Sequence, residues 1–514
     1  MYETIIGLEI HLELNTRSKL FCSCPAGGEI SRPNQHICPV CLGHPGVLPV
    51  LNKEAIKKAL IVGLAANGEL VGETSFDRKN YFYPDLPKGY QISQYNLPLV
   101  KGGYLEIDIK KGDGPRSGTV PEVKKVCLER IHLEEDAAKL LYSEDKKWSL
   151  LDFNRAGVPL LEIVTKPEIC SPEEAKIFLE ELQLIARYLE VSEAEMEKGQ
   201  MRCDANISLR PQGAKKYFPK TEIKNLNSFK AVEGALSYEK ARQTELWKKG
   251  SPPKSQSTRG WDEEEKVTFA QRGKEETYDY RYFPEPDLPP LNLKELRGQG
   301  INPVLLKKDL PELPRARRIR FSKMYGFSPA EARILTDDKN LANFTEKAIS
   351  ELKGWLISLE TVEGSEKEVW QKYKKRLVKL VGNWLINRLL HLIGQAKIGT
   401  AELKITPENF AEFIILVYEN KVSSTLAQKV LEKMFTSGRD LDRIMREGKM
   451  SQIEDEGKLT DIIEEVIQAN PEVVESIQKG KINAIQFLVG QVMKKSRGRA
   501  EPKIVRELLE RKIL

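Results

Sequence analysis

Polar and apolar residues alternate with period two through much of the first 290 or so residues of the chain. Residues 8–14, 105–109 and 202–210 show this alternation most clearly. Such a pattern is typical of strands that bury one face and expose the other. We therefore predict that the N-terminal part of the chain forms a domain rich in antiparallel strands.

Two stretches of this N-terminal part break the alternation and predict helices. They lie around residues 53–66 and at residues 172–189. The second has Ser171 as its N-cap, a proline at the first helical position and Glu174 three residues after the cap. This arrangement is a capping box, which marks the start of a helix.

Proline marks the end of the strand pattern. Residues 284–290 read Pro-Glu-Pro-Asp-Leu-Pro-Pro, and they favour a domain exit because proline has no amide donor for a helix or a central strand. Helical spacing follows to the end of the chain, with a second boundary near residue 400. We therefore predict an α+β protein, with an antiparallel β-rich domain at residues 1–292, an all-α connector at 293–400 and an all-α tail domain at 401–514.

The composition is that of a folded, multi-domain protein. The 514 residues are 40% hydrophobic and 30% charged, which excludes a disordered or collagenous chain. The net charge of +6 is too small over this length to indicate nucleic-acid binding by itself. No apolar run reaches the ~20 residues of a membrane helix, and the N-terminus lacks the pattern of a secretory signal. We expect a cytoplasmic protein without a membrane partner.

Four of the seven cysteines are clustered near the N-terminus, at Cys22, Cys24, Cys38 and Cys41. Two closely spaced pairs separated by a hairpin-sized loop suit tetrahedral Zn²⁺, and four thiolates leave no open position for catalysis. We predict a structural zinc knuckle over residues 22–41. The alternative is four unligated thiols. His36 and His44 are possible substitute ligands, or simply loop histidines.

Acidic residues and histidines share faces of the predicted strands. On residues 8–14, Glu9, His11 and Glu13 point to one face, about 6.6 to 6.8 Å apart along the strand. Further acids lie on other strand-like segments, at Glu134, Glu135, Glu162 and Asp204. Oxygen ligands suit Mg²⁺, so the set predicts a magnesium and phosphate site if these strands converge. The alternative is a sheet face that only meets water.

Residues 79–91 concentrate aromatic residues, two lysines and two prolines, and we expect an irregular loop there. Its lysines can hold phosphates and its tyrosines can stack on a base or a ribose. We therefore take as candidates for nucleotide binding the residues Lys79, Tyr81, Lys88 and Tyr90. A rigid packing loop is the alternative. The chain contains neither a P-loop nor a dinucleotide fingerprint, so an ATP site here is unconventional.

Several long strings, spread over nearly the whole chain, together resemble one family. They are Gly-Leu-Glu-Ile-His at 7–11, Lys-Asn-Tyr-Phe-Tyr-Pro-Asp at 79–85, Gly-Tyr-Gln-Ile-Ser-Gln at 89–94, His-Leu-Glu-Glu-Asp-Ala at 132–137, Arg-Cys-Asp-Ala-Asn-Ile-Ser at 202–208, Lys-Asn-Leu-Asn-Ser-Phe at 224–229, Asp-Tyr-Arg-Tyr-Phe-Pro-Glu-Pro-Asp at 279–287 and Gly-Gln-Val-Met-Lys at 490–494. The sequence is similar to the B subunits of the bacterial aspartyl/glutamyl-tRNA amidotransferases.

The resemblance implies a heterotrimer that takes part in protein biosynthesis. An amidase A subunit frees ammonia from glutamine, a small C subunit wraps the other two, and the B subunit uses ATP to activate a misacylated tRNA. The side-chain carboxylate of Glu-tRNA(Gln) or Asp-tRNA(Asn) is phosphorylated and then amidated by the ammonia. The resemblance therefore implies a ligase that forms carbon–nitrogen bonds with glutamine as amido donor.

The resemblance also assigns roles to residues. By position in the family motifs, Glu9, His11 and Glu134 are the catalytic magnesium ligands, and Glu135, Glu162 and Asp204 are further candidates. Residues 1–292 correspond to the family's cradle for ATP and the acceptor end. The tail is implied to contact tRNA, and residues 485–514 carry eight basic and three acidic residues, with the candidates Lys494, Lys495, Arg497 and Arg499.

Two functions compete at this point. One is the ATP-dependent amidotransferase subunit, with ATP, Mg²⁺ and structural Zn²⁺ as cofactors. The other is a non-catalytic tRNA-binding scaffold with a zinc site, in which the acidic strands are only solvated and the basic terminus is an ordinary solvated helix face. The two differ in whether Glu9, His11 and Glu134 are needed for turnover.

Overall fold

The computed structural model describes residues 2–27, 32–109, 122–145, 147–271, 280–298, 300–358, 365–447, 456–479, 481–496, 500 and 502–513. The chain divides into two compact units, Met1–Arg315 and Ala316–Leu514. The first unit holds the strands and the second is helical. The α+β prediction is thereby confirmed.

The first unit is organised around a ten-stranded sheet, with the order β15-β14-β13-β12-β1-β11-β8-β6-β2 and β7 paired to β8. Neighbouring strands are antiparallel except for the parallel pair β13 and β14. The strands of this unit are β1 (Tyr2–Glu13), β2 (Glu69–Leu70), β3 (Glu73–Thr74), β4 (Asp77–Asn80), β5 (Tyr90–Ser93), β6 (Val100–Lys101), β7 (Tyr104–Ile109), β8 (Glu122–Glu135), β9 (Lys139–Tyr142), β10 (Ser149–Asp152), β11 (Pro159–Thr165), β12 (Met201–Pro211), β13 (Thr221–Leu226), β14 (Ser257–Asp262), β15 (Val267–Ala270), β16 (Arg281–Pro284) and β17 (Leu291–Asn292).

Strand β1 lies inside this sheet and shows why the sequence forms it. Leu8, Ile10 and Leu12 are fully buried on one face, while the residues between them point to the other face. Because the side-chain period of a strand is two, a one-residue slip would expose every leucine, so the register of β1 is strongly specified. The alternation in the sequence therefore determines that Glu9, His11 and Glu13 lie on the face of β1 opposite the buried leucines.

Three long helices cover the apolar side of the sheet, namely α1 (Lys53–Ala65), α2 (Pro172–Tyr188) and α3 (Phe229–Lys248). The first two confirm the predicted helices. The Ser171 hydroxyl accepts a hydrogen bond from the amide of Glu174 at 3.1 Å. The Glu174 carboxylate accepts instead from the Cys170 amide at 2.7 Å, so this capping box is shifted by one residue. The third helix was absent from the sequence interpretation.

Residues 79–91 are more regular than predicted. Strands β4 and β5 begin and end this region, and they form a three-stranded sheet with β16. The expectation of an irregular loop is therefore wrong at both ends of the segment. Lys79 and Tyr282 are opposite each other in the β4–β16 pair, which places residues 281–284 beside residues 77–80.

The proline-rich segment does not end the first compact unit. Strand β17 pairs with β3, and Leu293, Leu296 and Ile301 are buried in the first hydrophobic core. Two short helices follow, α4 (Leu293–Gly298) and α5 (Pro303–Lys308). The first compact unit thus ends at Arg315, beyond the predicted boundary at residue 292. The second predicted boundary, near residue 400, lies inside the second unit. The three-domain division stays a prediction.

The second unit contains two hydrophobic cores, one within residues 321–445 and one within residues 459–513. Its helices are α6 (Pro314–Arg320, which begins in the first unit), α7 (Pro329–Thr336), α8 (Lys339–Ser358), α9 (Glu366–Trp384), α10 (Leu390–Ala396), α11 (Pro407–Tyr418), α12 (Ser424–Ser437), α13 (Leu441–Glu447), α14 (Glu456–Ala469), α15 (Pro471–Gln478), α16 (Ile485–Lys495) and α17 (Pro502–Ile513). Short π-helical turns at Phe321–Tyr325 and Leu385–Leu389 and 3₁₀ turns at Thr400–Glu402 and Ile482–Ala484 complete it. Across the described ranges, no helix combines the length and apolar character that crossing a membrane requires.

Candidate functional site

Charged side chains form one row across four neighbouring strands of the main sheet. His11 on β1 is opposite Arg202 on β12 and opposite Glu162 on β11. Glu162 is in turn opposite His132 on β8. Directly opposite residues of antiparallel strands share a face of the sheet. We call Arg202, His11, Glu162 and His132 the charged row.

Within the charged row, Glu162 contacts both histidines, and His11 also contacts Glu134. The Nε2 atom of His11 lies 3.0 Å from a Glu134 oxygen and 3.6 Å from a Glu162 oxygen. The Nε2 atom of His132 lies 3.2 Å from the same Glu162 oxygen. Glu9 lies opposite Asp204 in the β1–β12 pair. The structure thus brings together four of the predicted magnesium ligands, Glu9, His11, Glu134 and Glu162.

Electrostatics at the charged row favour a cation. Burial works against protonation of His11, yet its hydrogen bonds to Glu134 and Glu162 raise the pKa of His11 well above its ordinary value. Burial also opposes ionisation of Glu162, but His132 and His11 hold the pKa of Glu162 well below its usual range. For Glu9, burial and the nearby Glu162 raise the pKa. The carboxylates around His11 therefore stabilise positive charge at this position.

The donor atoms fit a divalent cation. The nearest donor atoms of Glu9, His11 and Glu162 lie within 4.8 Å of one another, as do those of His132, Glu134 and Glu162. A metal bound at His11 would have to displace the proton from Nε2, because only a neutral imidazole ligates. His132 has a buried Nδ1 atom without a hydrogen-bond partner in the described structure. The residues therefore suit the hard, oxygen-preferring ion expected from the sequence.

Lys79 faces the same cavity as His11 and Glu134, a space of about 250 Å³ that Tyr81 and Arg202 also line. Burial disfavours the ammonium, but Glu134 and the phenols around it raise the pKa of Lys79 above its usual value. The Nζ atom lies 4.8 Å from the centre of the Tyr280 ring. Within the described residues, Lys79 has no carboxylate oxygen within ion-pair distance, so its charge is available to a ligand in the cavity.

Glu135 lies apart from the charged row. It follows Glu134 in β8, and consecutive side chains of a strand point to opposite faces. Its carboxylate forms an ion pair with Lys88 and accepts a hydrogen bond from the Ile92 amide at 2.9 Å. The structure therefore does not bring Glu135 to the other predicted magnesium ligands.

The four predicted nucleotide residues are divided between two cavities. Lys79 and Tyr81 line the cavity beside His11, whereas Lys88 and Tyr90 line a separate cavity of about 210 Å³ bounded by Cys22 and Cys41. Asp204, the remaining predicted magnesium ligand, is next to Glu9 but accepts a hydrogen bond from Lys224 at 2.7 Å. Asp204 therefore lies beside the predicted magnesium ligands, but its carboxylate is already paired with Lys224.

A third cavity, of about 430 Å³, borders Glu9 and was absent from the sequence interpretation. Arg130 and Lys220 supply positive charge to its wall, and Tyr217 and Phe218 supply aromatic rings. These residues come from β1, β8 and the loop between β12 and β13, so no local pattern could have indicated the cavity. It is large enough for a nucleoside.

Sequence reasoning also missed His132 and Arg202 as members of the site. His132 stands two residues before Glu134, so the period of a strand placed both on one face. Arg202 donates two hydrogen bonds to Asp136, one of them at 2.9 Å, and Arg155 lies 3.3 Å from the same carboxylate. Asp136 is therefore held by two arginines and is unsuited to a further cation.

The four clustered cysteines converge. The Sγ atoms of Cys22, Cys24, Cys38 and Cys41 lie within 4.8 Å of one another. Four thiolates at about 2.3 Å from a tetrahedral zinc ion would be about 3.8 Å apart. The Cys38 amide donates to Cys41 Sγ at 3.2 Å, and the Cys22 thiol lowers the pKa of Cys41. This cluster could hold a metal such as zinc.

The candidate tRNA contacts of the tail are only partly described. Lys494 and Lys495 lie in the last turn of α16, where Lys495 forms an ion pair with Glu465 at 2.7 Å. Arg497 and Arg499 lie outside the described residues. A role of these four residues in binding tRNA stays a prediction.

The charged row lies in the strand-rich first unit, and comparison with known families identifies this part of the chain as a catalytic domain. Residues 4–297 match the family model described as the GatB/GatE catalytic domain, and residues 367–513 match the model described as the GatB domain. The chain belongs to the family of the aspartyl/glutamyl-tRNA(Asn/Gln) amidotransferase B subunits. A catalytic-domain match does not favour the alternative of a non-catalytic scaffold.

Relatives from three bacteria are named as the B subunit of an aspartyl/glutamyl-tRNA(Asn/Gln) amidotransferase. The protein from Carboxydothermus hydrogenoformans is 46% identical, that from Caldanaerobacter subterraneus 44% and that from Caldicellulosiruptor bescii 42%. Each alignment covers 100% of this chain and 99% of the relative. The similarity therefore extends over both compact units.

Proposed function

We propose that this chain is the activating subunit of a glutamine-dependent, cytoplasmic amidotransferase that works on misacylated tRNA. It transfers the γ-phosphoryl group of ATP to the side-chain carboxylate of Glu-tRNA(Gln), Asp-tRNA(Asn) or both. Ammonia from an amidase A subunit then displaces phosphate, and a small C subunit completes the heterotrimer. The observation that carries the proposal is the charged row with Glu9 and Glu134 beside it, open to cavities on either side.

Phosphoryl transfer from ATP to a carboxylate brings two negatively charged groups together, so the site needs positive charge between them. A carboxylate oxygen attacks the γ-phosphorus, ADP leaves, and ammonia then attacks the carbonyl carbon and releases phosphate. Mg²⁺ held by Glu9, His11 and Glu134, with Glu162 beside them, would neutralise charge on the transferring group. Lys79 supplies a further positive charge from the same cavity. Arg202 instead fixes Asp136 and so shapes the wall where the substrate carboxylate enters.

We place the nucleoside of ATP in the cavity of about 430 Å³ that borders Glu9. Phe218 and Tyr217 offer rings for the base, and Arg130 and Lys220 offer charge for the phosphates. The phosphates then extend toward the charged row, with Lys79 beyond it. Lys88 is paired with Glu135 and lines another cavity. Its geometry therefore does not support the predicted contact with the nucleotide.

Lys79 and Lys88 make a matched pair of substitutions. We expect Lys79→Ala to raise the ATP concentration for half-maximal amidation by roughly ten-fold, because a charge-assisted hydrogen bond to a phosphate contributes about 1.5–3 kcal/mol. Lys88→Ala should leave that concentration within roughly two-fold of wild type. The measurement is the ATP dependence of Gln-tRNA formation in the reconstituted trimer. Equal effects of the two substitutions would contradict this placement of ATP.

A cluster of tyrosines beside Lys79 suits the unpaired 3′ end of the tRNA. The rings of Tyr95 and Tyr282 are stacked, with centroids 4.2 Å apart and planes at 19°, and Tyr280 lies edge-on to Tyr282 at 6.4 Å. Tyr95 is 47% exposed and Tyr280 is 48% exposed, so part of each ring is accessible to a ligand, and Arg130 lies 5.6 Å from the centre of the Tyr95 ring. Single-stranded bases stack on such rings in a sequence-tolerant way.

Tyr282→Leu tests this tyrosine cluster. We expect KM for the misacylated tRNA to rise by about five-fold or more, because stacking of one base contributes about 1–3 kcal/mol. The KM for ATP should stay within about two-fold. The exposed Tyr142 on the β9–β10 hairpin gives the control Tyr142→Leu. An unchanged tRNA KM in Tyr282→Leu would remove the cluster from the tRNA site.

We propose further that the four clustered cysteines hold a structural Zn²⁺ and that the basic end of the tail contacts the tRNA body. The thiolate set has no open position, so this metal would act on folding and not on the reaction. Phosphate contact by Lys494 would make tRNA affinity depend on salt. Neither role enters the activation step.

Isotope labelling tests the activation step directly. Glu-tRNA(Gln) carrying ¹⁸O in the side-chain carboxylate is incubated with ATP, Mg²⁺, glutamine and the three subunits. We expect one ¹⁸O atom in the phosphate released for each Gln-tRNA formed, because the attacking carboxylate oxygen leaves with the phosphoryl group. Unlabelled phosphate alongside Gln-tRNA formation would exclude an acyl phosphate. Loss of all ATP turnover when the tRNA is uncharged is the matched control.

A further inference from the structure

Lys19 is buried without a carboxylate partner. Its side chain is fully inaccessible to solvent. The Nζ atom donates hydrogen bonds to the carbonyl of His36 at 2.8 Å and to that of Phe153 at 3.2 Å. Its third neighbour is the Sγ atom of Cys41 at 3.6 Å. Among the residues that the structure describes, no Asp or Glu forms an ion pair with Lys19.

A buried ammonium in such surroundings requires a negative charge nearby. Removing an unpaired ion from water is costly, and buried lysines are almost always paired. Two carbonyl dipoles satisfy hydrogen bonds but supply no net charge. The only anionic group that Lys19 touches in the described residues is a cysteine sulfur, which is ionised when it ligates a metal.

The cysteine cluster, once it holds a metal, requires a positive charge nearby. Four thiolates carry more negative charge than one Zn²⁺ ion neutralises, so a Cys₄ site is left with a net negative charge. A cation in contact with one sulfur offsets part of this charge and stabilises the ionised form of the ligands. Residues beyond the ligands that act in this way typically change metal affinity 10–100-fold.

We propose that Lys19 is a positioning residue of the metal site, whose ammonium balances the charge of the thiolates and connects the cysteine loop to residues 153–157. Its backbone amide donates to the Cys24 carbonyl at 2.9 Å, and the Leu20 amide donates to the Gly157 carbonyl at 2.8 Å. Together with the bond from Nζ to Phe153, these contacts connect the cysteine loop to residues 153–157. That segment carries Arg155, one of the two arginines on Asp136.

This inference rests on the metal site proposed above and is independent of the amidation chemistry. Its consequence is that a bound metal, acting through Lys19, holds residues 153–157 against the cysteine loop. Without the metal, Lys19 loses its negative partner and this connection is weakened. The charge of Lys19, more than its shape, should then determine how tightly the metal is held.

Zinc affinity of the full-length chain tests the proposal, measured by competition with a colorimetric chelator. We expect Lys19→Met to weaken zinc binding at least ten-fold and Lys19→Arg, which keeps the charge, to stay within about three-fold of wild type. Cobalt substituted for zinc should keep the absorption of a tetrahedral thiolate site in Lys19→Met, because the four ligands remain. Lys58 also donates to two backbone carbonyls, so Lys58→Met is the matched control.

The outcomes separate the proposals. If wild-type protein binds no zinc, the metal proposal itself fails. Wild-type affinity in Lys19→Met, or an equal loss in Lys19→Arg, would overturn the role of charge and leave Lys19 as a packing residue. Should Lys19→Met not fold, Lys19→Gln compared with Lys19→Arg makes the same comparison, and equal zinc affinities of these two variants would count against the proposal.

Discussion

Replacing His11 with alanine lowers ATP-dependent formation of Gln-tRNA by a factor on the order of 10³, the size expected when a group that holds charge in the transition state is removed. His11 contacts both Glu134 and Glu162, so its loss also leaves two buried carboxylates without their shared partner. The same reasoning predicts comparable losses for Glu9→Gln and Glu134→Gln. The measurement is the initial rate in the reconstituted trimer, scored as ADP and as Gln-tRNA.

Glu3→Ala provides the matched control for these substitutions. Glu3 lies on the same strand, but its carboxylate pairs with Arg210 at 2.7 Å, away from the charged row. Its turnover should stay within about two-fold of wild type. Binding of misacylated tRNA, measured separately, should persist in His11→Ala. Near-normal turnover in His11→Ala would instead place the activation step elsewhere in the complex.

The strand pattern was sufficient to predict the centre of the site. Period-two alternation on β1 identified Glu9 and His11 as neighbours on one polar face, and burial of Leu8 and Ile10 confirms that face. Strand pairing is a longer-range property. Only the register joins His11 to Glu162 and Glu162 to His132, which is why His132 received no role from the sequence.

The same distinction explains the division of residues 79–91. Local chemistry indicated that Lys79 and Lys88 could bind phosphate, and it gave no reason to separate them. Pairing of β4 with β5 and β16 directs Lys79 toward Glu134, while Lys88 pairs with Glu135 on the other side of β8. The cavities of a sheet are defined by which strands are neighbours, and that information is spread over the whole chain.

Helix α3 was missed for a different physical reason. Its buried face includes Glu239 and Gln243 beside Val232 and Leu236, so the apolar stripe is interrupted by polar residues. Glu239 is fully buried because Arg242 and Arg259 pair with it. The signal of an amphipathic helix weakens when a buried position carries a charge whose partner is distant in the sequence.

Replacing the proposed metal ligands Cys22 and Cys24 together by serine should abolish zinc binding and destabilise the loop locally by an apparent amount on the order of 10 kcal/mol. The effect should extend to the β9–β10 hairpin, because Asn34 donates to the Leu151 carbonyl at 3.0 Å and the His36 amide donates to Asn154 at 2.8 Å. Hydrogen exchange followed by mass spectrometry should show faster exchange in both segments.

The centre of β1 separates a local effect from a global one. Its amides lie inside the ten-stranded sheet, so their exchange should stay slow in the double serine variant if the metal stabilises only the loop and hairpin. Cys170→Ser is the control, because Cys170 is an exposed cysteine outside the cluster. Unchanged exchange at residues 32–45 after loss of the metal would mean that packing alone holds the loop, and that the converging sulfurs contribute nothing to its stability.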